Sequence, residues 1–255
     1  MKHSTILLIN LLISICAFSQ KHELHEVYSI TTGELIFAWS NASFTDEFKA
    51  ANPASQLTSN NLRFSLFFHL AENWHYDITS SFGMLTGIGV RNVGMSTNEV
   101  HDFNGDGDPE NYKFVRRSYL VGVPFGLKLG SLKNNLYMFG GFEYELAFHY
   151  KQKYWEAHTR TGGKTIDKKW FGEQTPTFMP SFFVGVQFPK GIHLTVKHYF
   201  YDFLNTDYGN DTDPINDFSR YAQSQITYIS LNWQFRPNKI RQSVKKENST
   251  IITSL

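Results

Sequence analysis

In Tyr119–Phe148, YLVGVPFGLKLGSLKNNLYMFGGFEYELAF, large apolar residues fall at every second position. Tyr119, Val121, Val123, Phe125, Leu127 and Leu129 share one face, against Gly122, Pro124, Gly126 and Lys128. After Lys133-Asn134-Asn135 the outward set is Leu136, Met138, Phe142, Tyr144, Leu146 and Phe148, with Tyr137, Glu143, Glu145 and His149 inward. Successive side chains of a strand point to opposite faces, so the stretch reads as an antiparallel hairpin. A strand in the wall of a membrane barrel shows lipid on one face and lumen on the other, and it carries this pattern.

Working outward, the alternation recurs. Leu62, Phe64, Leu66, Phe68 and Leu70 oppose Arg63, Ser65 and His69. Past a turn at Ala71-Glu72-Asn73, the outward set Trp74, Tyr76, Ile78, Ser80, Phe82, Met84, Thr86 and Ile88 opposes His75, Asp77, Thr79 and Arg91. A third hairpin turns at Pro189-Lys190-Gly191, pairing Phe182, Val184, Val186 and Phe188 with Leu194, Val196 and Phe200. The last strand sets Thr227, Ile229, Leu231, Trp233 and Phe235 against Tyr228, Ser230, Asn232 and Gln234; a first strand spans Glu34 to Ser40. The count is eight. Tight turns near 71–73, 130–135 and 189–191 alternate with long polar loops near 41–60, 95–112, 151–176 and 204–223. Short turns at one rim and long loops at the other are the asymmetry of outer-membrane barrels, and an even count puts both termini in the periplasm. Trp74, Tyr76, Tyr144 and Trp233 read as interfacial girdle residues. Pro124 cannot donate to a ladder, so a bulge is expected there.

The ends agree. Lys2 and His3, the apolar run Ile6–Phe18, and the small residues Ala17 and Ser19 form a secretion signal with cleavage expected near Ser19, before Gln20. The single cysteine, Cys16, lies inside that signal, so no disulfide framework is available to the mature chain. Beyond the signal no apolar run approaches the ~20 residues of a membrane helix, so a membrane protein here crosses with strands. Aromatics make up 16% of the chain, charged residues only 18%, and the net charge of +1 gives no pointer to nucleic acid. The expected organisation is a signal peptide (1–19), an N-terminal periplasmic segment (20–33), an all-β, eight-stranded antiparallel up-and-down transmembrane β-barrel (34–235), and a basic periplasmic tail (236–255).

Four segments carry a likeness: YLVGVPFGLKL (119–129), LYMFGGFEYELAF (136–148), FFVGVQFPKGIHLTVKHYFYDFLN (182–205) and the closing YISLNWQF (228–235). A proline in the fourth strand, glycine-rich later strands, an aromatic-rich penultimate strand ending near an Asn, and a terminal aromatic resemble the PorT-like outer-membrane β-barrel family of Bacteroidetes. The resemblance implies an eight-stranded barrel in the outer membrane and no established catalytic residues. One class within that family assists a secretion system, which makes envelope or secretion proteins expected partners.

Three constellations bear on chemistry. Asp102, Asn104, Asp106 and Asp108 alternate as oxygen donors, with Gly107 at the sixth position, like the opening of a calcium loop. Lys113 stands where a closing glutamate belongs, so an EF-hand is excluded and a looser calcium site is the expectation. Arg63, Asp77, Arg91, Lys128, Glu143, Glu145 and Lys197, with His69, His75, His149 and His193, fall on the lumenal face; in eight strands they read as a paired plug filling the interior. His198 and Asp202 fall on the lipid face of the seventh strand, where polar groups are costly. With Phe182 opposite His198 on one side and Thr227 on the other, a lipopolysaccharide-modifying acyl enzyme has no serine to use.

The stretch Lys151–Pro176 holds Lys151, Lys153, Arg160, Lys164, Lys168 and Lys169 against Glu156, Asp167 and Glu173, while Asp207, Asp211, Asp213 and Asp217 dominate the next loop. Outer-membrane lipid and lipopolysaccharide are therefore the expected contacts. The function expected is a non-enzymatic, lumen-filled barrel with a structural or interaction role, with a narrow pore as the main alternative.

Overall fold

The computed structural model describes residues 24, 25, 27–59, 62–65, 69–209 and 213–235. The signal segment 1–19, the basic tail 236–255 and Asp211 lie outside the described residues. In chain order the elements are β1 (Val27–Phe44), α1 (Asp46–Ala51), β2 (Gln56–Thr58), β3 (Arg63–Ser65), β4 (Leu70–Asp77), β5 (Phe82–His101), β6 (Glu110–Ser131), β7 (Leu136–Trp155), β8 (Lys164–Trp170), β9 (Phe178–Gln187), β10 (Ile192–Tyr199) and β11 (Tyr221–Phe235).

The strands β1-β4-β5-β6-β7-β9-β10-β11 pair side by side, all antiparallel, and β11 returns to β1 over Thr31↔Phe235 to Phe44↔Tyr221. The result is a hydrogen-bonded ring of eight strands that are not spread evenly around one axis. Three short strands are appended: β3 on β1, β2 on β5 and β8 on β7. The tight turns at 78–81, 132–135 and 189–191 all fall at the end where β1 starts and β11 finishes.

The outer face of the ring wall is apolar and exposed, while the inner face is mixed, with buried charges beside an apolar cluster that includes Ile36, Leu120, Met179, Tyr199 and Tyr228. On β6 and β7 the outward Val123 and Phe125 are each 55% exposed and Phe142 64%, while the inward Lys128 and Glu145 are fully buried. The same alternation runs along β9, where exposed Phe182 and Val184 flank buried Phe183. Period-two patterning thus reports the faces correctly, since it depends only on which side each Cβ leaves the strand.

Four expectations are corrected. The first tight turn lies at 78–81: Ala71, Glu72 and Asn73 are paired inside β4, opposite both β1 and β5. Thr79 builds the true turn by accepting hydrogen bonds from the Ser81 and Phe82 amides at 3.2 and 2.9 Å. The strands also outrun their apolar stretches. β1 starts at Val27, so residues 27–33 belong to the sheet and not to a periplasmic segment, and β5, β6 and β7 run to 20, 22 and 20 residues. At ~3.3 Å per residue β6 is about 70 Å long, far beyond the ~10 residues that cross a bilayer, and about half of the supposed loops at 95–112 and 151–176 is sheet.

Pro124 sits in register opposite Glu143, and the shift falls instead between Tyr119 and Leu120, opposite His149 and Ala147. Thr86 Oγ1 donates to the Pro124 carbonyl at 2.8 Å, and the β5 ladder skips the missing amide. The shift at Phe148 reverses parity above it, so His149, expected inward, faces out beside Tyr119 and Trp170.

Close approach of β6 and β7 requires Gly126 and Gly141, which face each other; a Cβ on Gly141 would strike the Phe125 carbonyl and the Gly126 Cα. Gly141→Val is expected to lower stability by about 1–3 kcal/mol, the usual cost of overpacking, read as a fall in the urea midpoint of the folded protein.

Candidate functional site

The interior of the ring holds two charged layers. In the first, Arg91 from β5 donates through Nε to Glu34 Oε2 at 2.8 Å, and through Nη1 to Glu145 at 3.1 Å and to Glu143. Lys197 of β10 closes the array against Glu143 at 2.8 Å and Glu145 at 2.9 Å. Toward the turn end, Lys128 pairs with Asp77 and donates to Tyr28 Oη at 3.1 Å, while Tyr28 donates to Asp77 Oδ2 at 2.9 Å. Six of the seven residues expected to face the interior are therefore paired there. The remaining space at this level is a cavity of about 70 Å³ lined by Glu34, Arg91, His193 and Lys197, room for a few waters. Burial of so many charges is tolerated only because each finds a partner.

The second layer escapes the sequence reading because all of its polar members but Arg116 lie in segments read as loops. Arg116 of β6, fully buried, donates to Glu99 Oε1 at 3.0 Å, to Tyr221 Oη at 2.8 Å and to Gln152 Oε1 at 2.7 Å, with its guanidinium 4.0 Å from the Phe114 ring centre. Arg220 reaches Glu99 Oε2 at 3.1 Å and also donates to the Pro214, Ile215 and Asp217 carbonyls. Gln152 donates to Asn216 at 3.0 Å. The segment 213–220 is thereby tied across the far end of the ring, over the aromatic cluster of Phe103, Tyr112 and Phe114. The signal that could have found it is continued polar alternation: Thr97 and Glu99, Arg116 and Ser118, Tyr150 and Gln152.

Arg63 does not join either layer. At the edge of β3 it donates to Asn92 Oδ1 at 2.8 Å, in a groove on the outer side of the wall. Asp102, Asn104, Asp106 and Asp108 do not converge as a ligand set. Asp102 instead accepts from the Gly105, Asp106 and Gly107 amides at 2.6, 3.2 and 2.7 Å, Asn104 donates to Glu110 and Asp106 accepts from the Asp108 amide. The carboxylate that would lead a calcium site closes the loop itself, and among the described residues no three His, Cys, Asp or Glu side chains are grouped to hold a metal. His198 hydrogen-bonds Thr227 Oγ1 at 2.7 Å with Phe182 on its other side, as the register implied. Asp202 lies past the end of β10 and accepts from the Ser224 amide at 2.5 Å. The His198–Thr227 pair is a satisfied polar contact, and among the described residues no carboxylate hydrogen-bonds the histidine.

No family model and no curated protein matches the chain. Among solved structures it is similar to Ail, the attachment invasion locus protein of Yersinia pestis, in complex with a heparin analogue (10% identity, 81% of this chain and 99% of that one, TM-score 0.29). It is also similar to the outer membrane protein OprG of Pseudomonas aeruginosa (10% identity, 86% and 100%, TM-score 0.32). The N-terminal β-barrel domain of Pseudomonas aeruginosa OprF is similar at 9% identity, 80% and 97% coverage, and a TM-score of 0.26.

Glu99 lies nine residues beyond Val90, the last exposed apolar position of β5. Burial pushes its carboxyl up, but the fields of Arg116 and then Arg220, with hydrogen bonds from Tyr221 and Arg116, hold it down to about 2. A carboxyl that titrates below its ordinary value of 4.5 stabilises fully above that value and ceases to as pH falls through about 2. Protease protection of residues 213–220 is therefore expected to persist from neutral pH to about 4.5 and to fade toward about 2. Glu99→Gln strands two buried cations, so protection is expected to weaken already at neutral pH, by the about 3–5 kcal/mol that breaking a buried pair costs.

Proposed function

We propose that this chain is an eight-stranded transmembrane β-barrel of a Gram-negative outer membrane, with a filled lumen and a structural or interaction role in the envelope in place of catalysis. One observation carries the reading: a hydrogen-bonded closed ring whose outer wall is apolar and whose interior holds paired charges. In lipid every backbone polar group must be satisfied within the protein, and a closed ring of strands is one of the two ways to do so. In water the same outer face, with Phe125, Phe142, Tyr144 and Phe182 exposed, is an aggregation surface.

The tight turns, with the first and last strand ends, are assigned to the periplasmic side and the strand extensions to the outside, following the asymmetry of such barrels. Both termini are then periplasmic. The resemblance of segments 119–129, 136–148, 182–205 and 228–235 to PorT-like barrels is consistent with the same location and favours an accessory of secretion as one form of the interaction role. Against a pore stand the Arg91–Glu143–Lys197 array and the small cavity beside it, since conduction needs a continuous wet path.

Membrane-extracted protein is expected to migrate faster on gels before boiling than after, and to give no stable single-channel steps in planar bilayers. Recovery as a soluble periplasmic protein would overturn the membrane assignment; discrete conductance steps would overturn the filled lumen.

A further inference from the structure

Above the shift at Phe148, the outward face of β6, β7 and β8 changes character row by row. Tyr119, His149 and Trp170 lie directly opposite one another across the three strands, and one step further Arg117, Lys151 and Lys168 do the same. Below the aromatic row the outward residues are apolar, from Val123 and Tyr144 to Leu129 and Leu136. Apolar, aromatic and cationic rows therefore follow in order along the strands, two residues or about 7 Å per step. Trp170 and Phe171 are 69% and 67% exposed at the middle row, the amphipathic placement that aromatic rings adopt at the boundary of lipid and water.

Three cations directly opposite on neighbouring strands repel, and among the described residues none of the three is in an ion pair. Beside them Arg63, Lys113, Arg117, Lys153 and Arg160 line a groove of about 740 Å³ whose lining includes no carboxylate. Arg117 Nε is buried there without a hydrogen-bond partner among the described residues. Burial, then the fields of Arg117 and Lys168, lower the Lys151 ammonium, so the crowding is felt. The exposed Leu62 and Phe64 form the apolar rim of the same groove.

We propose that this face binds the phosphate groups of lipopolysaccharide in the outer leaflet, with Arg117, Lys151 and Lys168 as the row nearest the acyl region and the groove taking a further phosphate of the same glycolipid. The proposal rests on the barrel reading and its outward extension. Guanidinium and ammonium donors match phosphate oxygens in charge and geometry. The position just beyond the aromatic row is where a membrane glycolipid carries its phosphates, and the apolar rim suits an amphiphile better than a free anion.

The test compares binding of purified lipopolysaccharide and its phosphatase-treated form to the detergent-folded full chain, with heat-modifiable gel mobility read on every sample. Wild type is expected to prefer the phosphorylated form by on the order of tenfold, as a few charge-assisted contacts would give. Arg117→Gln/Lys151→Gln/Lys168→Gln is expected to abolish that preference while keeping the mobility shift. In wild type alone, salt at about 1 M, where the screening length is about 3 Å, is expected to erase it too. Equal binding of the two forms by shifted wild type, a preference retained by the shifted variant, or tighter binding of soluble heparin than of lipopolysaccharide would each overturn the proposal. If the variant does not fold, an unchanged preference at high salt overturns it. Wild type without the mobility shift indicts the barrel reading, and the proposal falls with it.

Discussion

Along the β1–β11 seam, thirteen successive residue pairs, Thr31↔Phe235 to Ser43↔Gln223, join the last strand to the first without a shift. The rest of the molecule depends on that closure. In lipid, a wall with an apolar outer face cannot leave a row of amides and carbonyls at an edge, because lipid offers them no partner. Once the wall closes, the alternate side chains have only the interior to enter. Eight strands leave an interior about as wide as the side chains that fill it, so whatever polarity the inward positions carry must be neutralised within a few ångströms.

That requirement makes the interior charges a register device. Slipping one strand by a single residue would turn its whole inward set outward, and on β7 and β10 that set includes Glu143, Glu145 and Lys197. The apolar outer face would then receive charges while Arg91 lost its partners. Replacing a buried ion array with apolar residues often costs nothing in stability. What the array supplies here is a penalty on every alternative pairing, spread over β1, β5, β7 and β10 through one guanidinium and one ammonium.

Alternation in the sequence reports faces well and ends poorly, and the two have different physical origins. Parity survived even where the first turn was placed at 71–73 and not at 78–81, because Trp74 and Tyr76 keep their side of β4. Strand ends were misread where the outward face stopped being apolar: Arg117, Lys151 and Lys153 opposite Arg116 and Gln152 make both faces polar, which resembles a loop. The shift at Phe148 is invisible to periodicity and moved His149 to the other face. Pairs such as Glu99 with Arg220, 121 residues apart, have no local signature. In Asp102-Phe-Asn104-Gly-Asp106-Gly107 the residue types that hold calcium are also those that close an Asx-type turn, so the motif by itself does not choose between them.

The extension beyond the apolar belt divides its charges between two faces of one sheet. Inside, Glu99 bridges Arg116 and Arg220, while Gln152 accepts from Arg116 and donates to Asn216. Outside, like charges stand opposite one another on β6, β7 and β8, an arrangement that costs stability at each pair. The two are linked: β5, β6 and β7 stay paired far from the belt because the inner face anchors them to segment 213–220 and to the cluster of Phe103, Tyr112 and Phe114. Rigidity on the inner face is thus what lets the outer face hold cations at fixed spacing. A mobile loop with the same residues would spread its cations apart and lose the spacing that gives the row its field.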